Sequence, residues 1–593
     1  MTRELRLEDY LDHDGNIVIP DWLTLTSFMD RNVETHGDAS AYRYLDYDHD
    51  RVVELSWSRL GARLRAVAAR LQQVTQPGDR VAILTPHGVD YVVGFFAAIQ
   101  AGAIAVPLFA PELPGHTERL DAVLGDARPT VVLTTTDGAK SVGEFLRALP
   151  RERRPRMIAI DAIPDTVGAT FVPVALHGDN IAYLQYTSGS TRTPAGVEIT
   201  HRSACTNVVQ MILGVGLDWN IRSVSWLPLF HDMGLLMIMF PALLGGHITL
   251  MSPVSFVRRP YRWIRELGDS DVPTFAAAPN FAFDLAAQRG LPPAGETLDL
   301  SNVAGLINGS EPVSIGSIDR FTAAFAPYGL NPAVIKPSYG MAEATLFVST
   351  TAAGSRPEAI YLDRGELSAG RAVEVAADDP AAVPQVSCGT VARSQWAVII
   401  DPDTEAELPD GQVGEIWLHG ENVGHGYWGR VRETELTFHN KVQSRLQYGS
   451  HAEGSAESAL WLRTGDLGVY LDGELYITGR MKDLIIVDGR NHYPQDVEAT
   501  VAEASPAVRA GFVAAFAVPR DGREEVVIVA ERAVGAGRAE VGPVVEAIRA
   551  AVSRRHALPV ADVKLVAAGA IPRTTSGKLA RRACRAKYLE GEL

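Results

Sequence analysis

A chain of 593 residues with 46% hydrophobic and 21% charged side chains can bury several cores and divides into at least two domains. Its formal charge of −16 argues against a nucleic-acid partner, which would require a cationic surface to displace counterions. The three cysteines, Cys205, Cys388 and Cys584, lie far apart with no Cys-x-x-Cys or His/Cys cluster, so neither a disulfide framework nor a structural zinc site is supported and a reducing cytoplasm is the expected setting.

Met1 to Asp9 carries no apolar signal core, and the longest apolar run, Met233 to Leu244, is too short to span a bilayer, so no membrane span is expected. From Arg80 to about Pro253, β-rich runs (Val81–Leu84, Ala103–Phe109, Thr130–Thr135, Met157–Asp161, Ile181–Gln185, His247–Met251) alternate with helical stretches, which reads as a parallel α/β sheet. The basic run Arg151 to Arg156 reads as a solvated loop.

The stretch Tyr186 to Gly196 (Tyr-Thr-Ser-Gly-Ser-Thr-Arg-Thr-Pro-Ala-Gly) follows one such strand and precedes His201–Leu213, whose apolar spacing suits a helix. It is expected to be a turn joining strand to helix, where phosphates bind. Gly189 would let backbone amides approach an anion, and Thr187, Ser188, Ser190, Thr191 and Thr193 offer hydroxyl donors. A flexible Ser/Thr/Gly linker is the plain alternative. A Walker loop is not indicated, since Gly189 and Gly196 are too widely spaced and no Lys-Ser/Thr follows.

The α/β pattern resumes at Thr274–Ala278, Gly305–Asn308 and Ala333–Pro337, suggesting a second sheet, and the glycine turns Asn308–Glu311 and Ser338–Met341 follow two of these strands. Ligands of open α/β sheets bind at such carboxyl ends. Between Ala344 and Ser387 the composition shifts to Ala, Asp, Gly and Pro and reads as an insertion, before strand patterns return at Trp396–Ile400, Glu415–Leu418 and the hairpin Val469–Ile477 around Asp472-Gly473. The large domain is expected to end near Gly479. Beyond it, strands at Gly511–Val518, Glu525–Ala530 and Val563–Ala567 and helices at Asp496–Glu503 and Val541–Arg554 suffice for an independent core.

Five motifs stand in order: the Tyr186–Gly196 loop; Leu227-Pro-Leu-Phe-His-Asp-Met-Gly234; Pro337-Ser-Tyr-Gly-Met-Ala-Glu343; Arg463-Thr-Gly-Asp466 with Gly479-Arg-Met-Lys-Asp483; and Pro572-Arg-Thr-Thr-Ser-Gly-Lys578. Together they resemble the adenylate-forming superfamily of acyl-CoA synthetases, peptide-synthetase adenylation domains and luciferases. Ser188–Gly196, Phe230–Leu236, Asp488–Pro494 and the insertion after Glu343 are most similar to the fatty-acyl-AMP ligases of actinobacteria, which hand activated fatty acids to polyketide synthases. Where acyl-CoA synthetases place Gly and Lys in the phosphate loop this chain has Arg192 and Ala195, which is ordinary in that subfamily.

The resemblance implies a large α/β domain, 1–480, of two sheets plus a small β-barrel, with the insertion at about 344–387 and a β-rich part at about 388–480. A small mobile α+β lid would occupy 481–593. It implies ATP and magnesium as cofactors, and activation of a long-chain fatty acid to acyl-AMP. Transfer to the phosphopantetheine thiol of a polyketide synthase acyl carrier domain would follow. The alternatives are a fatty acyl-CoA ligase and a catalytically silent scaffold of the same fold.

By the same resemblance Lys578 would contact the carboxylate and the α-phosphate; a surface lysine in a tail with Arg573, Arg581, Arg582 and Arg585 is its alternative. Glu343 would hold magnesium, or else satisfy backbone amides at a helix start. Asp466 would accept the ribose hydroxyls and Arg480 would reach ribose and phosphate, where a surface salt bridge is the competing role. Tyr339 would stack on adenine, unless it is simple core packing. Asn308, Gly309 and Ser310 would lie along the base edge, and Gly340, Met341, Ala342 and Thr345 would complete the nucleotide wall with Thr187 to Arg192. His231 would sit near the attacking carboxylate, and Lys482 would mark the hinge. Met233–Leu244 with Met237 and Met239, plus Phe281 and Phe283, could line an acyl tunnel or form ordinary core.

Overall fold

The computed structural model describes residues 7–111, 117–187, 194–217, 220–487, 490–520, 523–536, 540–574 and 577–593. Two sheets and one continuous apolar core dominate the region before the Met481–Asp483 turn. The first sheet has six strands in the order Arg156–Ala159, Val131–Thr134, Arg80–Ile83, Ile104–Pro107, Ile181–Tyr186, Gly196–Thr200, all parallel except the last. Its central strands are apolar and wholly buried, as a parallel sheet covered on both faces requires.

The second sheet has nine strands. Six run parallel, from Ile335–Gly340 through Val303–Gly309, Thr274–Pro279, Arg222–Ser225 and His247–Met251 to Ser40–Asp46; antiparallel strands finish both edges. His247–Met251, expected in the first sheet, therefore belongs to the second. The strands Ser40–Asp46 and Arg51–Ser56 escaped the sequence reading altogether.

One expectation about the phosphate loop is corrected. Gly196–Thr200 is a strand that pairs antiparallel with Ile181–Tyr186, from Tyr186↔Gly196 to Ile181↔Thr200. The stretch after Tyr186 thus connects two antiparallel strands, and the helix His201–Val215 starts only afterwards, capped by the Thr200 hydroxyl. No helix N-terminus follows the loop directly, so the helix-dipole part of that reading does not apply.

The helix Asp232–Leu244 has Met233 through Leu244 buried on all sides, which explains its apolar composition all round its circumference. The small barrel expected around 388–480 is an open antiparallel sheet in the order Gln395–Ile400, Gly414–Gly420, Leu462–Leu471, Glu474–Arg480, with the hairpin at Asp472-Gly473 as anticipated.

After Met481–Asp483, the strands Val508–Arg520, Arg523–Arg532 and Val560–Val566 form one sheet. Alternate residues serve two cores: Val513, Ala515, Val526 and Ile528 face the helices Pro494–Ala504 and Val541–His556, while Ala514, Phe516, Val527 and Val529 pack with Cys584 of the helix Arg581–Leu589.

The insertion folds into a strand pair, Ala359–Asp363 with Ala382–Val386, and a short helix, Arg364–Ser368. Leu362 and Leu367 bury themselves against Leu467 and Tyr493, with Ile360, Leu471, Met481 and Leu484 around them, while Tyr361 is only partly covered and Val373 faces solvent. One small core therefore joins the insertion, the four-stranded sheet and the segment beyond the expected hinge. No helix among the described residues is long and apolar enough to cross a membrane.

Candidate nucleotide and acyl site

The carboxyl ends of two neighbouring parallel strands of the nine-stranded sheet, Val303–Gly309 and Ile335–Gly340, meet at one pocket. Gly340 closes the strand Ile335–Gly340 where a Cβ would stand 1.9 Å from the Leu346 carbonyl oxygen, so only glycine fits and the chain can double back through Met341 N–H to the same carbonyl at 2.8 Å. This brings Tyr339 to the mouth of a narrow, mostly apolar pocket. Its lining combines Gly309, Ser310, Ser338, Tyr339 and Gly340 with the apolar Met211, Met233 and Met237, Ile307, Leu346 and Phe347, and Ser310 Oγ reaches Met233 Sδ at 3.7 Å.

Tyr339 is buried, and its hydroxyl donates to Asp466 Oδ2 at 2.8 Å. Arg480 Nε donates to the other oxygen, Oδ1, at 2.8 Å. Asp466 and Arg480 face each other across the hairpin, directly in register. The neighbouring carboxylate raises the Arg480 pKa further above its usual range, outweighing partial desolvation.

Glu343 lies beyond the Gly340 turn. Its Oε1 accepts the Tyr427 hydroxyl at 3.0 Å and its carbonyl accepts Gly424 N–H at 2.8 Å. Desolvation pushes its carboxyl pKa up, against the pull of its hydrogen bonds and of Arg480. A single hard oxygen donor of this kind is the type of group magnesium takes, one or two carboxylates with the rest of the shell from phosphate and water oxygens. Among the described residues the only close group of three potential ligands is Asp12, His13 and Asp14, in another part of the chain.

Lys578 enters from the C-terminal module on a tight turn, with Thr574 N–H on the Lys578 carbonyl at 2.8 Å and Lys578 N–H on Thr574 Oγ1 at 3.1 Å. Burial lowers its ammonium pKa; Asp232, Glu311 and Asp466 pull it back up, while Arg480 opposes them. Lys578 is half-buried and feels the charges of Asp466 and Arg480, which weighs against the solvated-tail alternative. Asp232 and Glu311 are half-buried acids whose pKa values are raised by desolvation and moderated by Lys578.

Several expected residues take other places. Asn308 is fully buried and its Nδ2 donates to Asn280 Oδ1 at 3.2 Å, while its Oδ1 is left without a hydrogen-bond partner among the described residues. Thr345 has φ of +66° and gives its hydroxyl to the Asn422 carbonyl at 2.7 Å, which also puts it in the scaffold. Met341 meets the Tyr339 hydroxyl through its sulfur at 3.8 Å, and Ala342 is buried in the turn. His231 precedes the helix Asp232–Leu244 with its ring 4.6 Å from that of Phe230. Met239 and Phe283 are core, the latter packed edge-on against Phe321, so for these two the ordinary-core alternative holds. Lys482 is exposed, and its carbonyl accepts Arg582 Nη2 at 3.3 Å.

Ser188, Gly189, Ser190, Thr191 and Arg192 lie outside the described residues. The flanks are described: the Thr187 carbonyl accepts from Arg119, and the Pro194 carbonyl accepts Arg430 Nη2 at 2.6 Å. Sequence reasoning assigned no role to Arg119, Arg430 or Tyr427, which belong to no motif. Asp232 and Glu311 were inside motifs, and their positions beside His231 and Ser310 were the available signal.

The family model described as "AMP-binding enzyme" matches residues 29–428, and one described as "Disco-interacting protein 2-like, AMP domain" matches 482–593. The long-chain-fatty-acid–AMP ligase FadD32 of Mycolicibacterium smegmatis is 53% identical over 98% of this chain and 96% of its own length. A putative fatty-acid–CoA ligase, fadD21, of Mycobacterium bovis is 42% identical over 95% and 98%. A solved structure from studies of fatty acyl-adenylate ligases of E. coli and L. pneumophila superimposes with a TM-score of 0.84 at 28% identity, covering 98% of this chain and 99% of that one.

Proposed function

As the chain belongs to the fatty-acyl-AMP ligases of the AMP-binding enzyme family, we propose that it hands its product to the phosphopantetheine thiol of a polyketide synthase acyl carrier domain rather than to coenzyme A. The first half-reaction is that of the family: a long-chain fatty acid is activated with ATP to an acyl adenylate. That excludes the catalytically silent scaffold.

Attack of a carboxylate on the α-phosphate brings two anions together, and fixed cations lower the barrier. Lys578 holds the carboxylate against the α-phosphate, and Arg480 shares the charge that develops. Asp466 accepts the ribose hydroxyls, Tyr339 stacks on the base with Gly309 and Ser310 beside it, and Thr187 leads into the phosphate loop. Met233 and Met237 line the acyl chain's path, their flexible thioethers adapting to its shape. Glu343 would hold magnesium, which when bound neutralises phosphate charge. His231 lies at the carboxylate end.

The observation that carries the choice of acceptor is the small core of Leu362, Leu367, Leu467 and Tyr493. It ties the insertion to both sides of the Met481–Asp483 turn, where Lys482 would be the hinge, so a rotation that withdraws Lys578 has to break apolar packing. The domain boundary is proposed there. The competing acyl-CoA ligase reading is favoured by the relative named as a putative fatty-acid–CoA ligase. Mass spectrometry of reactions with fatty acid and ATP, plus either coenzyme A or a pantetheinylated carrier domain, separates the two. Acyl adenylate and acyl carrier are the expected products, and efficient acyl-CoA formation would overturn the proposal.

A further inference from the structure

Glu415 is only 2% exposed and belongs to none of the motifs that build the site. Its carboxylate is a hub. Oε2 accepts Trp417 Nε1 at 2.9 Å and Arg463 Nε at 3.0 Å, with Arg463 Nη2 at 2.8 Å, while Oε1 accepts the Gly465 N–H at 3.1 Å.

These donors mark an irregularity in the sheet. Between the strands Gly414–Gly420 and Leu462–Leu471 the register passes from Glu415↔Leu467 to Trp417↔Arg463. A step of two residues on one strand meets a step of four on the other, so Leu462–Leu471 bulges just where it carries Thr464, Gly465 and Asp466. Gly465 takes a left-handed φ of +70° there, and a second register shift against Glu474–Arg480 follows immediately, between Leu467 and Gly468. A bulge frees backbone groups from the ladder, and an N–H left without an acceptor there destabilises the turn. Glu415 supplies the acceptor for Gly465, and Thr464 Oγ1 ties the other side to the Ile416 carbonyl at 2.7 Å.

We propose that Glu415 is a positioning residue for nucleotide recognition, filling the bulge so that the Asp466 carboxylate stands where the ribose hydroxyls reach it. The proposal rests on Asp466 as the ribose acceptor. Glu415 itself touches the bulge, not the nucleotide. Its effect is on where Asp466 points, and a sugar lacking one hydroxyl reports that directly.

The test uses the full-length protein in pyrophosphate exchange with ATP and with 2′-deoxy-ATP, comparing wild type, Asp466→Ala, Glu415→Ala and Glu415→Gln. Wild type is expected to prefer ATP, and Asp466→Ala to lose that preference. Glu415→Ala should lose most of it as well, with KM for ATP raised about tenfold and kcat within about threefold, the signature of lost uniform binding. Glu415→Gln should fall between, because its amide oxygen still serves Gly465 while Arg463 loses the nearer of its two carboxylate partners and keeps Glu405 at 3.8 Å. Thermal melts accompany each variant, and if Glu415→Ala does not fold, Glu415→Gln decides. A folded Glu415 variant with the wild-type preference, beside an Asp466→Ala that has lost it, overturns the proposal and leaves the ribose reading standing. If Asp466→Ala keeps the preference, the ribose reading fails first and the role of Glu415 goes with it.

Discussion

Tyr339 and Asp466 are bonded to each other at 2.8 Å, which couples the ring proposed to stack on adenine to the carboxylate proposed to accept the ribose. Replacing Asp466 by Ala is expected to weaken ATP binding by roughly 1.5–3 kcal/mol, since hydrogen bonds to a charged acceptor are worth that much. Tyr339→Phe keeps the ring and removes only one support of the carboxylate, so its loss should be smaller, about 0.5–1.5 kcal/mol. Equilibrium ATP titrations of both variants make the comparison. Equal losses would mean that the Tyr339 hydroxyl is indispensable to the Asp466 carboxylate and not one of several supports.

Lys578→Ala should abolish adenylate formation while leaving ATP affinity nearly intact, because the ammonium acts on charge that appears during the attack. The expected loss is several kcal/mol, on the scale of a removed oxyanion-type donor. Single-turnover adenylation set beside equilibrium nucleotide binding is the measurement. Normal adenylation by this variant would take Lys578 out of the mechanism.

Deleting about Ser355 to Ala382 is expected to confer acyl-CoA synthesis while adenylation survives. A gentler version, Leu362→Asp with Leu367→Asp, breaks the same core, since each leucine is almost completely buried against Leu467 and Tyr493. Products are read by mass spectrometry with fatty acid, ATP and coenzyme A. Folded variants that adenylate yet still ignore coenzyme A would show that the insertion is not what selects the acceptor.

Stability should carry a pH signature from the same interface. Burial pushes the Asp496 carboxyl up to about 6, against the pull of Arg364 from the insertion and Arg555, with Glu498 adding repulsion. An unfolded Asp titrates near 3.9, so the folded state holds this proton more tightly and the contribution of Asp496 to stability falls as pH rises from about 4 to about 6. His556, pushed down to about 3 mainly by burial, acts in the opposite sense up to about pH 6.5. The difference in Tm between Asp496→Asn and wild type isolates the carboxyl. It should move in the variant's favour between pH 4 and 6 and then level off, and movement the other way would mean that Arg364 and Arg555 outweigh desolvation.

The residues that the sequence made legible are those in short motifs at the ends of buried strands. Ser310, Tyr339, Asp466, Arg480 and Lys578 were named from their motifs and meet in space. What stayed hidden has physical causes. Gly196–Thr200 is five residues long and runs straight into a helix capped by Thr200, so its text is that of a helix approach, and only pairing with Ile181–Tyr186 makes it a strand. Asn308 and Thr345 lie in the expected motifs, but a motif does not say which tertiary partners a side chain meets, and Asn280 engages the Asn308 Nδ2 while the Asn422 carbonyl takes the Thr345 hydroxyl. Tyr427 and Glu415 act through partners more than forty residues distant in sequence, which no local pattern announces.

The parallel pairing of Ser40–Asp46 with His247–Met251, in register from Tyr42↔Ile248 to Leu45↔Met251, bears on how the chain is made. At a synthesis rate of about 5–20 residues per second, the first strand emerges about 10–40 seconds before its inner neighbour exists. Until then only the antiparallel Arg51–Ser56 can cover one of its edges, and the other is an open template for pairing with any strand that passes. Nascent chains of this protein are therefore most exposed to misassembly in that interval, and a chaperone that shields the first fifty or so residues would act at the step where the delay is longest.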